Sequence, residues 1–310
     1  MEDIAAKIPW IEKHRAHNLD KIIGHDDHIM IITNLIEKEA LINMLFYGEP
    51  GTGKTSMILA IARKLYGSEY KSYIKEINAS SDRGIDTIRT TIKDYVKLKS
   101  KKMRLLILDE IDAMTVDAQG ALRGIIDDYS KNNRFCLICN NIEKIIPALK
   151  SRCLPFKFNY PNKELILIKL KEIAHEEKID ISDESIKVLA ECGKDLRQII
   201  NLLQGISCYS EECITPDIIY LYLGINIGLM DEFYKDLEKK ELTFNDCYTK
   251  GINMIKSGHM TLKDLVQYIF MKLDLHNMKV IKHLSKIEYR LRNGGDTEIN
   301  LAYLISLFIL

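Results

Sequence analysis

The run Ile42-Asn43-Met44-Leu45-Phe46-Tyr47 passes directly into Gly48-Glu49-Pro50-Gly51-Thr52-Gly53-Lys54-Thr55, and a helical stretch from Lys54 to about Leu65 follows. A short apolar strand, a glycine-rich turn and a helix, in that order, are what the pattern G-x-x-x-x-G-K-[ST] requires of its surroundings. Small residues let successive backbone N–H groups face inward as an anion-binding nest at a helix N-terminus. Lys54 places a point charge where β- and γ-phosphates would lie, and the Thr55 hydroxyl is suited to a Mg²⁺ shell.

Working outward, strand and helix patterns alternate. Tyr73–Asn78 reads as a strand, Ile85–Leu98 as a helix, Leu105–Leu108 as a strand buried on both faces, Ala118–Tyr129 as a helix and Arg134–Cys139 as another buried strand. That alternation predicts a parallel sheet covered by helices on both sides. The Leu105–Leu108 run ends in Asp109-Glu110. Two carboxylates at a strand's C-terminal end stand at the sheet edge where open α/β folds bind ligands. Asp109 suits a role in holding Mg²⁺, and Glu110 suits orienting or deprotonating an attacking water. Together the two motifs specify a P-loop nucleoside triphosphatase. Asn140 ends the strand expected beside Asp109, so its amide could reach the same water, although an Asn there is more commonly a turn former.

Composition bounds the rest. Apolar residues make up 46% of 310 and charged residues 28%, a globular profile. Lys+Arg and Asp+Glu both number 44, which excludes a globally basic nucleic-acid binder but not a local basic face. The seven scattered cysteines suggest a reducing compartment. The longest strongly apolar run, Leu301–Leu310, has ten residues, half of what a membrane span needs, and the first fifteen residues have no signal-like apolar core. A soluble chain is expected. Cys136-x-x-Cys139 has metal-like spacing, but residues three apart on a strand face opposite ways, and His25-x-x-His28 has no further ligand nearby.

After Phe158 the rhythm changes. Asn159-Tyr160-Pro161-Asn162 is a turn cluster, and beyond it only helical periodicity is found. Residues 163–208 predict three or four short helices, Pro216 and Gly224 bracket another segment, and three to five helices follow from about Gly228.

Several ordered motifs over residues 1–205 resemble a small subunit of replication factor C, the AAA+ sliding-clamp loader family. They are Pro9–Arg15 (PWIEKHR), Leu19–Gly24, Phe46–Ser56 (FYGEPGTGKTS), Glu76–Arg89 (EINASSDRGIDTIR), Leu108–Arg123 (LDEIDAMTVDAQGALR), Arg134–Asn140, Ser151-Arg152-Cys153 and Asp195-Leu196-Arg197. The resemblance implies an AAA+ ATPase domain over 1–158, a helical lid over 159–226 and an all-α collar over 227–310. It implies that ATP and Mg²⁺ are bound by residues Gly48 to Ser56 with Asp109, and that Ile22, Ile23 and Arg15 lie near the adenine. Asn140 would be the sensor 1 residue and Arg197 the sensor 2 residue. Arg152 would be a finger acting in trans on a neighbouring subunit's ATP. Arg83 and Arg89, with Lys93 on the same helix, would follow a DNA backbone; the Arg89-Lys93-Lys97 stripe also reads simply as a solvated helix face. The implied partners are other loader subunits in a pentameric ring, a sliding clamp like PCNA, and primer–template DNA, with no membrane. The implied location is the nucleus in a eukaryote, or the cytoplasm for an archaeal or viral protein. Glu49, His14, Ala16, Ser81, Ile111 and Lys194 depart from the family pattern, but none removes a phosphate, Mg²⁺ or finger group. Two other readings compete: another DNA-directed AAA+ ATPase, such as an origin-loading factor or branch-migration motor, and an ATP-binding structural subunit with negligible turnover.

Overall fold

Strands β3 (Arg104–Asp109) and β4 (Asn133–Cys139) are nearly unbroken apolar runs because both of their faces are covered. In the computed structural model, which describes residues 8–80, 85–98, 100, 102–193, 195–209, 213–240, 242–258, 260–273 and 277–309, they lie at the centre of a five-stranded sheet. The others are β1 (Met44–Gly48), β2 (Ile74–Asn78) and β5 (Leu154–Phe158). The order is β2-β3-β4-β1-β5, and every pairing is parallel.

Alternate side chains go to opposite cores. Leu45, Leu106, Leu108, Phe135, Leu137 and Cys139 join one apolar cluster with helices α5 (Ile85–Lys97) and α6 (Val116–Tyr129). Met44, Phe46, Leu105, Ile107, Cys136 and Ile138 join the other with α2 (Asp26–Glu37) and α3 (Lys54–Tyr66). Cys136 and Cys139 are therefore on opposite faces. The short helices α1 (Trp10–Lys13), α4 (Tyr70–Tyr73) and α7 (Pro147–Lys150) complete this part of the chain.

The sequence pattern did not announce β5. Pro155 gives no ladder hydrogen bond, and only Phe156 and Phe158 are buried along the strand. Both facts suit an edge strand, which has one neighbour and one unpaired side. β5 positions the site nonetheless. Gly48 pairs with Phe158, and a Cβ at Gly48 would lie 2.0 Å from the Phe158 carbonyl oxygen. The strand end can thus turn into the loop only with glycine there.

The chain divides into two compact units, Met1–Ile179 with Leu189–Gly205, and Asp180–Val188 with Ile206–Leu310. The remaining helices are α8 (Lys163–Glu176), α9 (Asp183–Cys192), α10 (Leu196–Tyr209), α11 (Pro216–Tyr222), α12 (Ile227–Lys239), α13 (Phe244–Lys256), α14 (Leu262–Lys272), α15 (Met278–Arg292) and α16 (Thr297–Ile309). The second unit is built on an apolar core that includes Phe233, Leu237, Leu265, Ile269, Ile287, Leu301 and Leu304. Its described β structure is a single parallel bridge, Ile181 with Ile214. No described helix is long and apolar enough to cross a membrane.

Candidate nucleotide-binding site

The parallel register aligns the C-terminal ends of the central strands. β1 ends at Gly48 and β3 at Asp109, and Asn140 follows β4, so three loops leave one edge side by side. The loop after β1 holds glycines at positive φ: Gly48 at 144°, Gly51 at 76° and Gly53 at 94°. Gly53 occupies the N-cap of α3, which has no side-chain cap. The first-turn N–H groups of α3 are thus left without the side-chain acceptor that a Ser, Thr or Asp would supply. Gly51 is also required sterically, since a Cβ there would lie 2.5 Å from Asp195 Cβ. Thr52, almost fully buried, donates from its hydroxyl to the Glu49 carbonyl at 2.8 Å.

Lys54 is 7% exposed. Its ammonium donates to the Gly48 carbonyl at 2.7 Å, the Glu49 carbonyl at 2.8 Å and Asn140 Oδ1 at 3.0 Å. Three acceptors match its three donors. Burial pushes its pKa below the usual lysine value, and Asp109 is the largest opposing influence. The Thr55 hydroxyl donates to Asp109 Oδ2 at 3.0 Å, and Asp109 Oδ1 accepts the Glu110 backbone N–H at 2.8 Å. Both oxygens of the carboxylate are thereby oriented. Glu110 adopts φ 56° and ψ 38°, a left-handed conformation that a non-glycine residue enters at a cost of roughly 1–2 kcal/mol.

Lys54, Thr55, Ser56, Asp109, Glu110 and Asn140 line one cleft with Pro50, Gly51, Thr52 and Gly53. Arg15, Ile22, Ile23 and the exposed Arg197 line it too. Gly48 and Glu49 are not among the lining residues and contribute carbonyl oxygens to Lys54. Thr55 Oγ1 and the Asp109 carboxylate are hard oxygen donors with room for few protein ligands, the kind of set that suits Mg²⁺ beside phosphates. Among the described residues there is no cluster of three or more His, Cys, Asp or Glu that could hold a metal alone.

Arg152 is not among the described residues that line this cleft. It follows α7, between the buried Leu149 and Cys153. Its guanidinium makes a two-bond fork with Asp127 on α6, Nε to Oδ1 at 2.6 Å and Nη2 to Oδ2 at 3.0 Å, and Nη1 donates to the Ala148 carbonyl at 2.8 Å. This fork holds the Asp127 carboxyl below its usual range and the Arg152 guanidinium above its own. Arg83 lies outside the described residues, as does the Arg89 side chain. Lys93 is half-buried and Lys97 exposed on α5.

Three residues were missed by sequence reasoning. His25 Nε2 lies 3.1 Å from the Thr52 carbonyl oxygen, behind the phosphate loop, and its ring stacks on His28 with centroids 5.5 Å apart. The H-x-x-H spacing flagged the pair, but for metal binding rather than for loop support. His14 lines the cleft and lies 3.2 Å from Glu176 and 2.5 Å from Glu177, so it ties the N-terminal strip to the end of α8. Asp127 gave no signal, since an acid four residues after Arg123 reads as an ordinary surface pair.

The family model of ATPases associated with various cellular activities (AAA) matches residues 44–160. Over 318 aligned residues the chain is 40% identical to a probable replication factor C subunit 5 of Dictyostelium discoideum, covering 97% of this chain and 90% of that one. It is 38% identical to human replication factor C subunit 5, covering 97% and 91%. It is 37% identical to replication factor C subunit 3 of Saccharomyces cerevisiae, covering 94% and 90%. Among solved structures, the Holliday junction branch migration motor RuvB of Thermotoga maritima superposes with a TM-score of 0.57 at 16% identity, covering 76% of this chain and 84% of that one. At that identity the likeness is one of fold.

Proposed function

Because this chain belongs to the replication factor C subunit family of AAA ATPases, we propose that it is an ATP-hydrolysing subunit of a ring that opens a sliding clamp and places it on primer–template DNA. The observation that carries the reading is the convergence of Lys54, Thr55, Asp109 and Asn140 through direct hydrogen bonds at one sheet edge, with Arg152 held elsewhere. The groups this reading assigns to gripping and aligning a triphosphate in cis, Lys54, Thr55, Asp109 and Asn140, line one cleft, and Arg152 does not.

In this reading the α3 N-terminus and Lys54 bind the β- and γ-phosphates. Their negative charge offsets the burial that now disfavours the ammonium. Thr55 and Asp109 would hold Mg²⁺, which supplies charge neutralisation across the phosphates when bound. Glu110 takes the proton of the attacking water, and Asn140 orients that water from the end of β4. Arg197 reaches the γ-phosphate from α10, and Ile22, Ile23 and Arg15 form the adenine side. Arg152 serves the ATP of an adjoining subunit, which makes turnover conditional on assembly. Arg83, Arg89 and Lys93 contact the DNA backbone. The clamp is met by the outer side of 113–130, where Val116 is 69% exposed. The functional division is 1–158 as ATPase, 159–226 as lid and 227–310 as collar. The protein works in the nucleus of a eukaryote, or in the cytoplasm for an archaeal or viral source.

The test is ATP turnover by the complex isolated through a tagged copy of this chain, with and without primed DNA and clamp. Stimulation by both ligands together is expected. A rate indifferent to both overturns the loader reading and leaves an ATPase of another task. Arg152→Ala is expected to leave ATP binding by this chain intact while cutting the complex's turnover by about 10³-fold at that interface. Loss of binding instead overturns the assignment in trans.

A further inference from the structure

We propose that Asp127 is the positioning residue of the Arg152 finger, presenting one edge of its guanidinium to the adjoining subunit's γ-phosphate. The inference rests on the reading of Arg152 as a finger acting in trans.

An arginine has five N–H donors in a planar fork. Asp127 takes the edge made by Nε and Nη2, at 2.6 and 3.0 Å. The Ala148 carbonyl takes one Nη1 donor at 2.8 Å. One N–H on each terminal nitrogen then remains. The further acceptor among the described residues is Ser151 Oγ at 3.5 Å from Nη1, at the outer limit of a hydrogen bond. A phosphoryl group offers two oxygens to such a pair of donors, and bidentate recognition of this kind is what separates Arg from Lys.

The anchoring runs through both ends. The backbone of Arg152 is fixed between the buried Leu149 and Cys153, and its N–H donates to the Leu149 carbonyl at 3.0 Å. Asp127 projects from α6, whose Leu122, Ile125 and Ile126 are sunk in the sheet core. The guanidinium is therefore referenced to the sheet by two routes. Arg152 is 31% exposed and Asp127 42%. At that exposure an isolated ion pair adds little to stability; a bidentate fork can add more, so the melting temperature is measured beside the rate to separate the two roles. Arg123 Nε sits 3.7 Å from Asp127 Oδ2 and adds a smaller pull to that of Arg152 in favour of the charged carboxylate. A finger without this hold must lose its rotamer freedom at the moment it reaches across the interface.

The experiment measures ATP turnover by the complex carrying Asp127→Ala, Asp127→Glu, Arg152→Ala or the Arg152→Ala/Asp127→Ala pair, together with ATP binding by this chain and the melting temperature. Expected for Asp127→Ala is a fall in kcat of about 10- to 100-fold with KM for ATP within twofold of the parent. Asp127→Glu should restore part of the rate. The double variant should be no slower than Arg152→Ala alone, because the carboxylate acts only through the guanidinium. A parental or raised kcat in Asp127→Ala, or additive losses in the pair, overturns the proposal. If Arg152→Ala itself keeps the parental rate, the finger reading fails as well. If only Arg152→Ala is slow, the failure belongs to Asp127 alone. Should Asp127→Ala unfold, Asp127→Glu against Asp127→Asn decides: equal rates overturn the proposal, and a faster Glu variant supports it.

Discussion

Helix α3 and helices α13 and α14 begin in opposite ways. At α13 the Thr243 hydroxyl accepts the Asp246 backbone N–H while the Asp246 carboxylate returns to the Thr243 backbone N–H, and Thr261 and Asp264 do the same at α14. Each is a reciprocal box that satisfies the first-turn donors from within the helix. Helix α3 begins at Gly53, has no side-chain cap and carries no acid in its first turn. Its first residue is instead a buried lysine. A helix start that is left open, with a cation beside it, is arranged for an anion that the chain does not itself supply. A closed one serves stability alone.

If that contrast is right, the largest effect of any single change belongs to the open end. Lys54→Met should reduce turnover by on the order of 10²–10³-fold. ATP should also cease to raise the melting temperature, since stabilisation by a ligand follows its occupancy. Differential scanning fluorimetry with and without ATP and Mg²⁺ checks this. A persisting shift of parental size would break the contrast at its root.

Next in size is the backbone that shapes the open end. Gly48→Ala brings a Cβ to 2.0 Å from a backbone oxygen of β5, which cannot swing away. A loss of about 3 kcal/mol or more is expected in urea unfolding. Gly53→Ala meets nothing within 4 Å and carries only the conformational penalty of φ 94°, about 1 kcal/mol. Equal losses would mean that loop strain, not the approach of β5, fixes Gly48.

A smaller, pH-dependent effect follows from the histidines behind the loop. Burial lowers the pKa of both His25 and His28, against raising contributions from the Thr52 carbonyl and Asp26 at His25 and from Asp27 at His28. A depressed imidazole binds fewer protons folded than unfolded. Its contribution to stability is thus complete above the ordinary histidine value of about 6.5 and is lost as pH falls through the lowered folded values. Melting temperature should therefore drop between pH 7.5 and 5.5, and His25→Gln/His28→Gln should flatten that drop. An unchanged slope in the double variant would remove the histidines from the loop's support.

How much of this could be read beforehand differs along the chain for physical reasons. Strands β1, β3 and β4 were legible to within two residues, because burial on both faces or a glycine turn leaves a strong pattern. β2, at the other edge with only Ile77 buried, was legible to within one residue from its place in the strand–helix alternation. β5 was not, because an edge strand with one proline and two buried aromatics hardly differs from a loop. The cleft residues Lys54, Thr55, Asp109, Glu110 and Asn140 were legible because a fixed strand–loop–helix spacing carries them to one edge. His25 and Asp127 act on other residues across the fold, 27 and 25 positions away in sequence. No local spacing encodes such contacts. The helices after Phe158 were legible in kind, since amphipathic periodicity gives existence and approximate length. It gives no chemistry, and the second unit offers none of the phosphate-binding patterns of the first.

The smallest expected effects belong to the closed ends, and they complete the contrast. Thr243→Ala and Thr261→Ala each remove an acceptor for a first-turn N–H, and each should cost about 1 kcal/mol in chemical unfolding. Thr261→Ser keeps the hydroxyl and should cost less. None of the three should change ATP affinity, because the apolar core that α13 and α14 share with α12 and α16 contains no cleft residue. The two helices also differ in how firmly the box is made. The Thr261 backbone N–H donates to Asp264 at 3.0 Å, against 3.3 Å for Thr243 to Asp246. That contact survives either alanine substitution. The bond that is lost, from the Asp backbone N–H to the Thr hydroxyl, is 3.2 Å at Thr261 and 3.3 Å at Thr243, so the two alanine variants should cost about the same. A cap variant that weakened ATP binding as much as it weakened folding would mean that the closed ends also serve the nucleotide, and the distinction between an end kept for a ligand and an end kept for stability would fail at the helices that define it.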